Sequence, residues 1–410
     1  MESIIGKSVI GSPKLFIILA FNVRFGEWDA LPMERCKSVD CSCDLRSIAF
    51  EGVIKNYKRL IDEFGIKSFK EVLPRLSEPH MNMRRGIVFG HIDFERILDA
   101  VKKSIEFAVM TGIKPLPYHI GSFITCEEVI HFQKMGGHVF FCIADLEAYA
   151  INRIPLRESY KISIDNLADL LALGLEHKRT YIYRQSESIN VLKLANIFSS
   201  HVTKRTLEAI YGERPFGHYM SALIQAADIL QPQLKEFGGP KPTITPVGAD
   251  QAPHSRLTRD LARKEVFRRE YGFILPSFTF HTLIRGLDGS DKMSKRNPRS
   301  YFAIDEGEDS IVYKVKNAFT GGRETAKLQR KLGGQPEICP IYELEVYFFT
   351  RDDEKLRRIY FDCKNGDILC GEHKDEILRR ILVFRKDHLK RKRKKLNVAQ
   401  RIIRGNHLYG

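Results

Sequence analysis

The chain lacks any apolar run long enough to cross a lipid bilayer. Its longest unbroken apolar run near the start, "LFIILAF", is far shorter than the roughly 20 residues that a membrane-spanning helix requires. The same stretch also lacks the charged-then-small pattern of a secretory signal peptide. These absences predict no membrane segment and favour a cytoplasmic protein.

The cysteines lack the regular spacing of a disulfide framework or a zinc site. Eight of them are spread along the chain, which favours a reduced setting. Only Cys36, Cys41 and Cys43 are clustered, and they lack the C-x-x-C spacing and the second pair of ligands that a zinc site normally has. We therefore expect no metal ligands.

Internal repeats and low-complexity linkers are also missing, which leaves an ordinary globular protein. The 410 residues, 43% of them hydrophobic, suffice for two or three domains. Positive charge is what the chain has in excess, with 66 Lys and Arg against 51 Asp and Glu and a formal net charge of +15. Clustered Lys and Arg attract phosphates, so this excess indicates a polyanionic partner. Contact with the ribosome, or solubility alone, would also explain it.

Short apolar runs alternate with helical periods over the middle of the chain. The segment "FAVMTG" predicts a strand, "TCEEVIHFQKMGG" a helix and "HVFFCIADLEAY" a further strand. Later strands are predicted at "TYIYRQSE" and "KPTITPVGADQ", with helices at "SIDNLADLLALGL" and "YMSALIQAADILQ". This alternation predicts an α/β, Rossmann-like, doubly wound parallel sheet, whose ligands bind beyond the carboxyl ends of the strands.

The character of the sequence changes at about Asp305, where charge-dense helical periods begin and continue to "RKDHLKRKRKKL". We therefore predict four segments. They are an appended segment of unknown role at 1–50, a lead-in at 51–95, a Rossmann-fold domain at 96–304 and a helical domain at 305–410.

Two polar clusters follow predicted strands. "GIKPLPYHIGS" puts His119 and Gly121 at the start of a helix, where backbone amides and the helix dipole favour a phosphate. "GADQAPHSRLTRD" puts Asp250 and Gln251 at the end of a strand. Taken alone, His119 is more simply a cap or a surface residue, and the second cluster a capping turn.

A third cluster, "GLDGSDKMSKRNP" (residues 286–298, hereafter the signature loop), places Lys292 and Lys295 on a glycine-rich turn. One interpretation is a solvated surface turn. The other is a phosphate clamp, because glycines let the backbone approach an anion while lysine ammonium groups act as mobile point charges.

The joint order of these clusters resembles the class I aminoacyl-tRNA synthetases, and more closely the tryptophanyl-tRNA synthetases of the archaeal and eukaryotic type. The resemblance runs from about Phe50 to the C-terminus through "RRGIVFGHIDF", "ADLEAYA", "LIQAADILQPQ", "GGPKP", "VGADQAPHSRLTRD", "DKMSKR", "TGGRETAKLQRKLGG" and "ILCGEHK". It implies activation of L-tryptophan by ATP with Mg²⁺ and transfer to tRNA(Trp). It further implies a homodimer, a catalytic domain at 96–304 and a tRNA (anticodon)-binding domain at 305–410.

The same resemblance implies the site residues. Those implied for catalysis are His119, Lys292 and Lys295. Those implied for ATP are His119, Gly121, Ser122, Gly248, Asp250, Lys292, Met293, Ser294 and Lys295, with Asp250 at the ribose and Arg296 adding charge. Those implied for the amino acid are Met110, Glu147, Gln225, Asp228 and Gln251. The run of basic residues from 390 to 395 separately predicts tRNA contacts at Lys390, Arg391, Lys392 and Arg393, with a merely solvated helix face as the alternative.

Two of these residues bear on the choice of amino acid. Asp228 lies where some tryptophanyl and tyrosyl relatives place an acid that accepts a hydrogen bond from the indole N–H or the phenol O–H, which rejects ligands without that donor. Tyrosyl relatives usually set a tyrosine at the place of Met110, whereas a methionine suits the face of an indole. The pattern favours tryptophan, and a tyrosyl enzyme is an alternative.

The chain departs from the family pattern on the ATP side. The usual second histidine of the H-I-G-H motif is Ser122, and a hydroxyl cannot carry the charge of a protonated imidazole. The usual Ser-Gly before that motif is Leu116-Pro117. The usual D-P-H-I-R reads "APHSR" at 252–256, an arginine is replaced by Ile92, and Arg296 ends the signature loop where serine is common. A second hypothesis is therefore a synthetase-like paralogue that binds tryptophan or RNA without charging tRNA.

Overall fold

The structure, a computed structural model, describes residue 57 and residues 61–405. The predicted appended segment 1–50, with Cys36, Cys41 and Cys43, lies outside the described residues, as does most of the lead-in before residue 61.

Seven strands of the described chain form one mixed sheet in the order β1-β2-β7-β6-β3-β4-β5. They are β1 (Lys67–Ser68), β2 (Val88–Ile92), β3 (Ala108–Ile113), β4 (His138–Ile143), β5 (Thr180–Arg184), β6 (Thr243–Gly248) and β7 (Ser277–His281). Strands β3 to β7 pair in parallel, which confirms the predicted Rossmann-like sheet. The edge pairs β1–β2 and β2–β7 are antiparallel and were not predicted.

Helices connect and cover these strands. The α-helices are α1 (Met81–Arg84), α2 (Glu95–Lys102), α3 (Phe123–Lys134), α4 (Asp145–Asn152), α5 (Leu156–Leu173), α6 (Ile189–Ser199), α7 (Lys204–Tyr211), α8 (Phe216–Leu230), α9 (Ala252–Arg263), α10 (Glu265–Tyr271), α11 (Glu308–Lys316), α12 (Ala326–Leu332), α13 (Pro340–Leu344), α14 (Asp353–Asn365) and α15 (Cys370–Arg404). No helix in this part of the chain is both long and apolar enough to cross a membrane.

The central strands are buried on both faces, and alternate side chains enter two different hydrophobic cores. In β4, Val139 and Phe141 join one core, whereas Phe140 and Cys142 join the other. Successive side chains of a strand point to opposite faces of the sheet, so a strand with helices on both sides reads as a continuous apolar run. This is why the strand segments were recognisable in the sequence.

The predicted strand "HVFFCIADLEAY" is wrong in its second half, because β4 ends at Ile143 and α4 begins at Asp145. The Asp145 carboxylate accepts hydrogen bonds from the backbone N–H groups of Leu146 and Ser186, both at 3.0 Å. A carboxylate in the first turn of a helix is also stabilised by the helix dipole. The polar residue therefore ends the strand and starts the helix.

Strand order reverses at β3, which has β4 on one side and β6 on the other. The connections that follow β3 and β6 run to opposite sides of this point in the sheet. A crevice therefore opens at the carboxyl ends of the two strands, as at the ligand sites of other doubly wound sheets. Strand β3 is followed by His119 and a 3₁₀ turn at Ile120–Ser122, and β6 by a 3₁₀ turn at Ala249–Gln251. Both polar clusters of the sequence thus lie at this crevice.

The chain after Asp305 is helical, as predicted. The 35-residue α15 packs along α5, which belongs to the sheet layers. The described residues 61–405 belong to one compact unit. The division of function at residue 305 stays a prediction.

Candidate active site

Two adjoining cavities open at the carboxyl ends of β3 and β6. The first, of about 230 Å³, is bounded by the ends of these strands together with residues of α4 and α8. The second, of about 430 Å³, lies between the loop after β3, the start of α3 and the signature loop. Thr111, Gly112, Lys114 and Thr125 line both, so the cavities meet at the end of β3.

The first cavity brings together all the residues predicted to bind the amino acid, namely Met110, Glu147, Gln225, Asp228 and Gln251. Gln225 and Asp228 are three residues apart on α8 and therefore share a face of that helix. The Gln225 amide donates a hydrogen bond to the Gln251 side-chain carbonyl at 3.3 Å. Their roles toward a ligand stay predictions.

Asp228 is buried, with 3% of its surface exposed, and its carboxylate is held by two donors. The Tyr183 hydroxyl donates to Oδ1 at 2.8 Å, and the Gln185 side-chain amide donates to Oδ2 at 2.7 Å. Burial raises the pKa of Asp228 to about 7 despite these hydrogen bonds. The two donors compensate part of the cost of burying the carboxylate.

Tyr183 and Gln185 were not identified from the sequence. They stand at the polar end of the run "TYIYRQSE". The parallel pairing of β5 with β4 brings Gln185 to the lining of the first cavity and the Tyr183 hydroxyl to Asp228. That polar end was the available signal. Thr245 on β6 was also missed, although its hydroxyl is buried at the first cavity and has no partner among the described residues.

The second cavity is lined by most of the residues predicted for ATP, namely His119, Ser122, Asp250, Lys292, Met293, Ser294 and Lys295. Gly248 instead lines the first cavity. A Cβ atom at Gly121 would lie 2.9 Å from Ile284 Cγ2 and 3.0 Å from the His119 ring. A side chain at Gly121 would therefore displace the histidine.

His119 is held against the far side of the second cavity. Its backbone forms a β-bridge with Ala303, and its ring packs on Tyr301 with centroids 5.4 Å apart. Burial, with the nearby Lys295 charge, lowers the pKa of His119 to about 4. His119 Nδ1 is buried without a hydrogen-bond partner in the structure. Near pH 7 His119 is therefore a neutral imidazole, in which one ring nitrogen donates and the other accepts.

The signature loop lines the second cavity with residues 292–295, while Arg296 and the Asp288 side of the loop are exposed. Met293 is buried, and its backbone N–H donates to the Ile284 carbonyl at 2.9 Å. The Lys292 ammonium lies 3.1 Å from Asp250 Oδ2 across the cavity. Burial, with the Lys114 charge, lowers the pKa of Lys295 to about 8. These contacts disfavour the solvated-turn interpretation.

Lys114 is a further residue that the sequence analysis did not single out. Its ammonium lies 3.1 Å from Glu147 Oε1, and the residue lines both cavities. Thr125, which also lines both, has its hydroxyl 2.8 Å from His281 Nε2. His281 Nδ1 lies 3.0 Å from the Thr282 carbonyl, so that nitrogen carries the proton and Nε2 accepts from Thr125.

The structure corrects the prediction that Lys392 contacts tRNA. Lys390, Arg391 and Arg393 are exposed on α15, but Lys392 is 5% exposed. Its ammonium lies 2.7 Å from Asp165 Oδ2 and 2.9 Å from Asp169 Oδ2 on α5. The lysine faces α5 and is part of a buried ion network.

No group of three or more His, Cys, Asp or Glu residues in the described chain could hold a metal ion. A Mg²⁺ ion bound mainly by nucleotide phosphates and water needs no such group.

Residues 102–383 match the family described as "tRNA synthetases class I (W and Y)". The chain belongs to this family. It is 43% identical over 343 residues to the tryptophan–tRNA ligase of Hyperthermus butylicus, covering 82% of this chain and 91% of that one. It is 42% identical over 357 residues to the tryptophan–tRNA ligase of Aeropyrum pernix, covering 85% and 95%.

A solved structure gives the same family likeness. The crystal structure of the Aeropyrum pernix tryptophanyl-tRNA synthetase matches with a TM-score of 0.81 at 41% identity, over 88% of this chain and 98% of that one.

Proposed function

We propose that the chain is a tryptophan–tRNA ligase, which activates L-tryptophan with ATP and transfers the tryptophanyl group to tRNA(Trp). The observation that carries the proposal is the pair of adjoining cavities at the strand reversal. One is lined by the residues expected for an amino acid and the other by the signature loop. The identity to archaeal tryptophan–tRNA ligases supports the same function.

Activation requires positioning and charge more than a protein nucleophile. A carboxylate oxygen of tryptophan attacks the α-phosphorus of ATP while the bond to the bridging oxygen of the β-phosphate breaks, so that tryptophanyl-adenylate forms and pyrophosphate leaves. Lys292 and Lys295 supply positive charge around the second cavity, and neutral His119 offers a hydrogen bond. Mg²⁺, bound through the phosphates, would neutralise part of their negative charge.

Tryptophan is favoured over tyrosine by the walls of the first cavity. Asp228 can accept the indole N–H because each carboxylate oxygen keeps a lone pair beyond its bond to Tyr183 or Gln185. Met110, which is 2% exposed, lines the same cavity. The methionine side chain offers a polarizable surface to the face of an indole ring. It has no hydroxyl group that could hydrogen-bond the phenol of a bound tyrosine.

The alternative of a paralogue that binds without charging rests on the changed ATP motifs, above all Ser122. Tryptophan-dependent exchange of pyrophosphate into ATP by the purified protein tests the two. We expect exchange in the wild type and a loss of about 100-fold in the rate for Lys292→Ala, with little change in tryptophan affinity. Wild-type protein that binds tryptophan but gives no exchange would favour the paralogue.

We further infer that the exposed basic face of α15, with Lys390, Arg391 and Arg393, contributes to tRNA binding. We also propose a cytoplasmic location. The cysteines of the described chain are free, as in a reducing compartment; these are Cys126, Cys142, Cys339, Cys363 and Cys370.

A homodimer is proposed on a patch of exposed apolar side chains on three helices. Tyr149 on α4, Leu156 on α5 and Phe216 on α8 are 53%, 41% and 71% exposed. Helix α4 contacts both α5 and α8, so the three side chains lie on neighbouring elements. Large exposed apolar patches mark contacts between proteins, and two-fold dimers are the commonest homo-oligomers.

A further inference from the structure

The second cavity lacks one positive charge that the family pattern would supply. Ser122 lines it where the family pattern has a second histidine, and a hydroxyl cannot carry positive charge. His119 is neutral near pH 7, because its pKa is lowered to about 4 by burial and by the charge of Lys295. Negative charge that develops as pyrophosphate leaves therefore has to be met by other groups.

Lys114 is placed where such a charge is needed. It is one of four residues that line both cavities, and the reacting carboxylate and the α-phosphate must meet where the cavities join. The other three, Thr111, Gly112 and Thr125, carry no charge. Lys114 is thus the cation at the junction among the residues described.

The loop that carries Lys114 is held in place at several points. The backbone N–H of Ala144 donates to the Ile113 carbonyl at 2.8 Å, and that of Leu116 donates to the Lys114 carbonyl at 2.7 Å. The Asn166 amide donates to the Leu116 carbonyl at 3.1 Å. Pro115 and Pro117 fix the backbone on either side of Leu116. The replacement of Ser-Gly by Leu116-Pro117 therefore stiffens the loop beside the lysine.

Lys114 forms an ion pair with Glu147, and the ammonium group of a bound amino acid can replace Lys114 in this pair. The Lys114 ammonium is 3.1 Å from Glu147 Oε1, and the two side chains are 36% and 20% exposed. If Glu147 meets the ammonium of the bound amino acid, that ammonium competes with Lys114 for the same carboxylate. Lys114 is then released toward the carboxylate and the phosphate.

We propose that Lys114 binds the reacting carboxylate and the α-phosphate at the junction of the cavities and supplies the positive charge that Ser122 cannot. This inference rests on the proposed function. In the step concerned, the bond from the carboxylate oxygen to phosphorus forms, the bond to pyrophosphate breaks, and Lys114 keeps its proton throughout.

The test is tryptophan-dependent pyrophosphate exchange by Lys114→Met, Lys114→Arg and the double variant Lys114→Met, Ser122→His. We expect Lys114→Met to lower kcat by about 100-fold, because one positive charge at the transition state is removed. The KM for tryptophan should change little, because the lost contact to the tryptophan carboxylate is offset by the loss of a cation that competes for Glu147. Lys114→Arg should keep most of the rate, and Ser122→His should restore part of it on the Lys114→Met background.

Lys204→Met is the matched control, because Lys204 and Glu208 form a Lys–Glu pair at the same 3.1 Å on α7, outside the lining of both cavities. It should behave as the wild type. A Lys114→Met variant with wild-type kcat, or one that loses only tryptophan affinity, would overturn the role of Lys114 while leaving the proposed function intact. A wild type without exchange would overturn both.

Discussion

At the scale of single residues, Asp228 shows how burial changes the ionisation of a carboxylate that we propose as the acceptor of the indole N–H. Its two oxygens are held by Tyr183 and Gln185, and burial raises its pKa to about 7. Two other titratable groups shift the pKa of Asp228. A hydrogen bond with the Cys142 thiol lowers this pKa, and the charge of Glu147 raises it. The protonation state of Asp228 is therefore balanced near neutral pH.

This balance predicts that tryptophan binding weakens as the pH falls. The indole N–H needs the ionised carboxylate, which is lost as the pH drops through 7, so affinity should fall about tenfold between pH 8 and pH 6. Isothermal titration of wild-type protein at several pH values measures this. An analogue with sulfur in place of the indole N–H should show a much flatter profile, and so should Asp228→Asn with tryptophan.

An equally steep profile for the sulfur analogue would contradict the role of Asp228 as the acceptor. The pH dependence would then belong to a group that meets the common part of both ligands, such as Glu147.

The sequence predicted the members of the two cavities better than their hydrogen-bond partners. Gln225 and Asp228 were predicted because the motif that carries them resembles that of the synthetase family. Tyr183 and Gln185 depend on how β5 pairs with β4, which no single segment reveals. Lys114 stands in a loop, where local sequence does not determine which way a long side chain reaches.

At the scale of elements, α15 separates two roles within one run of basic residues. Lys390, Arg391 and Arg393 are exposed, whereas Lys392 lies between Asp165 and Asp169. One turn earlier, His388 is fully buried with its Nε2 2.7 Å from Asp169 Oδ1. The sequence alone does not separate Lys392 from its basic neighbours. Which side chains of a helix face a neighbouring helix depends on how the two helices pack.

This division predicts different outcomes for neighbouring lysines. Changing Lys390, Arg391 and Arg393 to Gln should weaken tRNA binding and reduce the slope of log affinity against log salt by about one for each phosphate that the variant no longer binds. Tryptophan activation should be spared. Lys392→Gln should instead lower the melting temperature, because it removes the charged partner of the buried Asp169 carboxylate.

Filter binding over a salt series and thermal melts measure the two effects. Unchanged tRNA affinity in the triple variant would remove the proposed tRNA surface on α15. Unchanged melting of Lys392→Gln would contradict its structural role.

At the scale of the whole molecule, the sheet and its two cavities are built within one chain. Four of the five parallel strands, β3 to β6, were predicted from alternating apolar runs, whereas β7 and the position of the reversal were not. The antiparallel edge strands were not, because β1 has two residues and β2 pairs with a strand far along the chain. The exposed side chains of Tyr149, Leu156 and Phe216 form the surface through which the homodimer is proposed.

A homodimer through this patch predicts a mass of twice 47.2 kDa in solution. Sedimentation equilibrium at micromolar concentration should give that mass for the wild type, and Phe216→Asp should shift it toward one chain, because a buried carboxylate without a partner opposes association. Val383→Asp is the control, since Val383 is 63% exposed on α15 and lies outside the patch. A wild-type mass of one chain would exclude the dimer, and equal dissociation by both variants would exclude this patch as its interface.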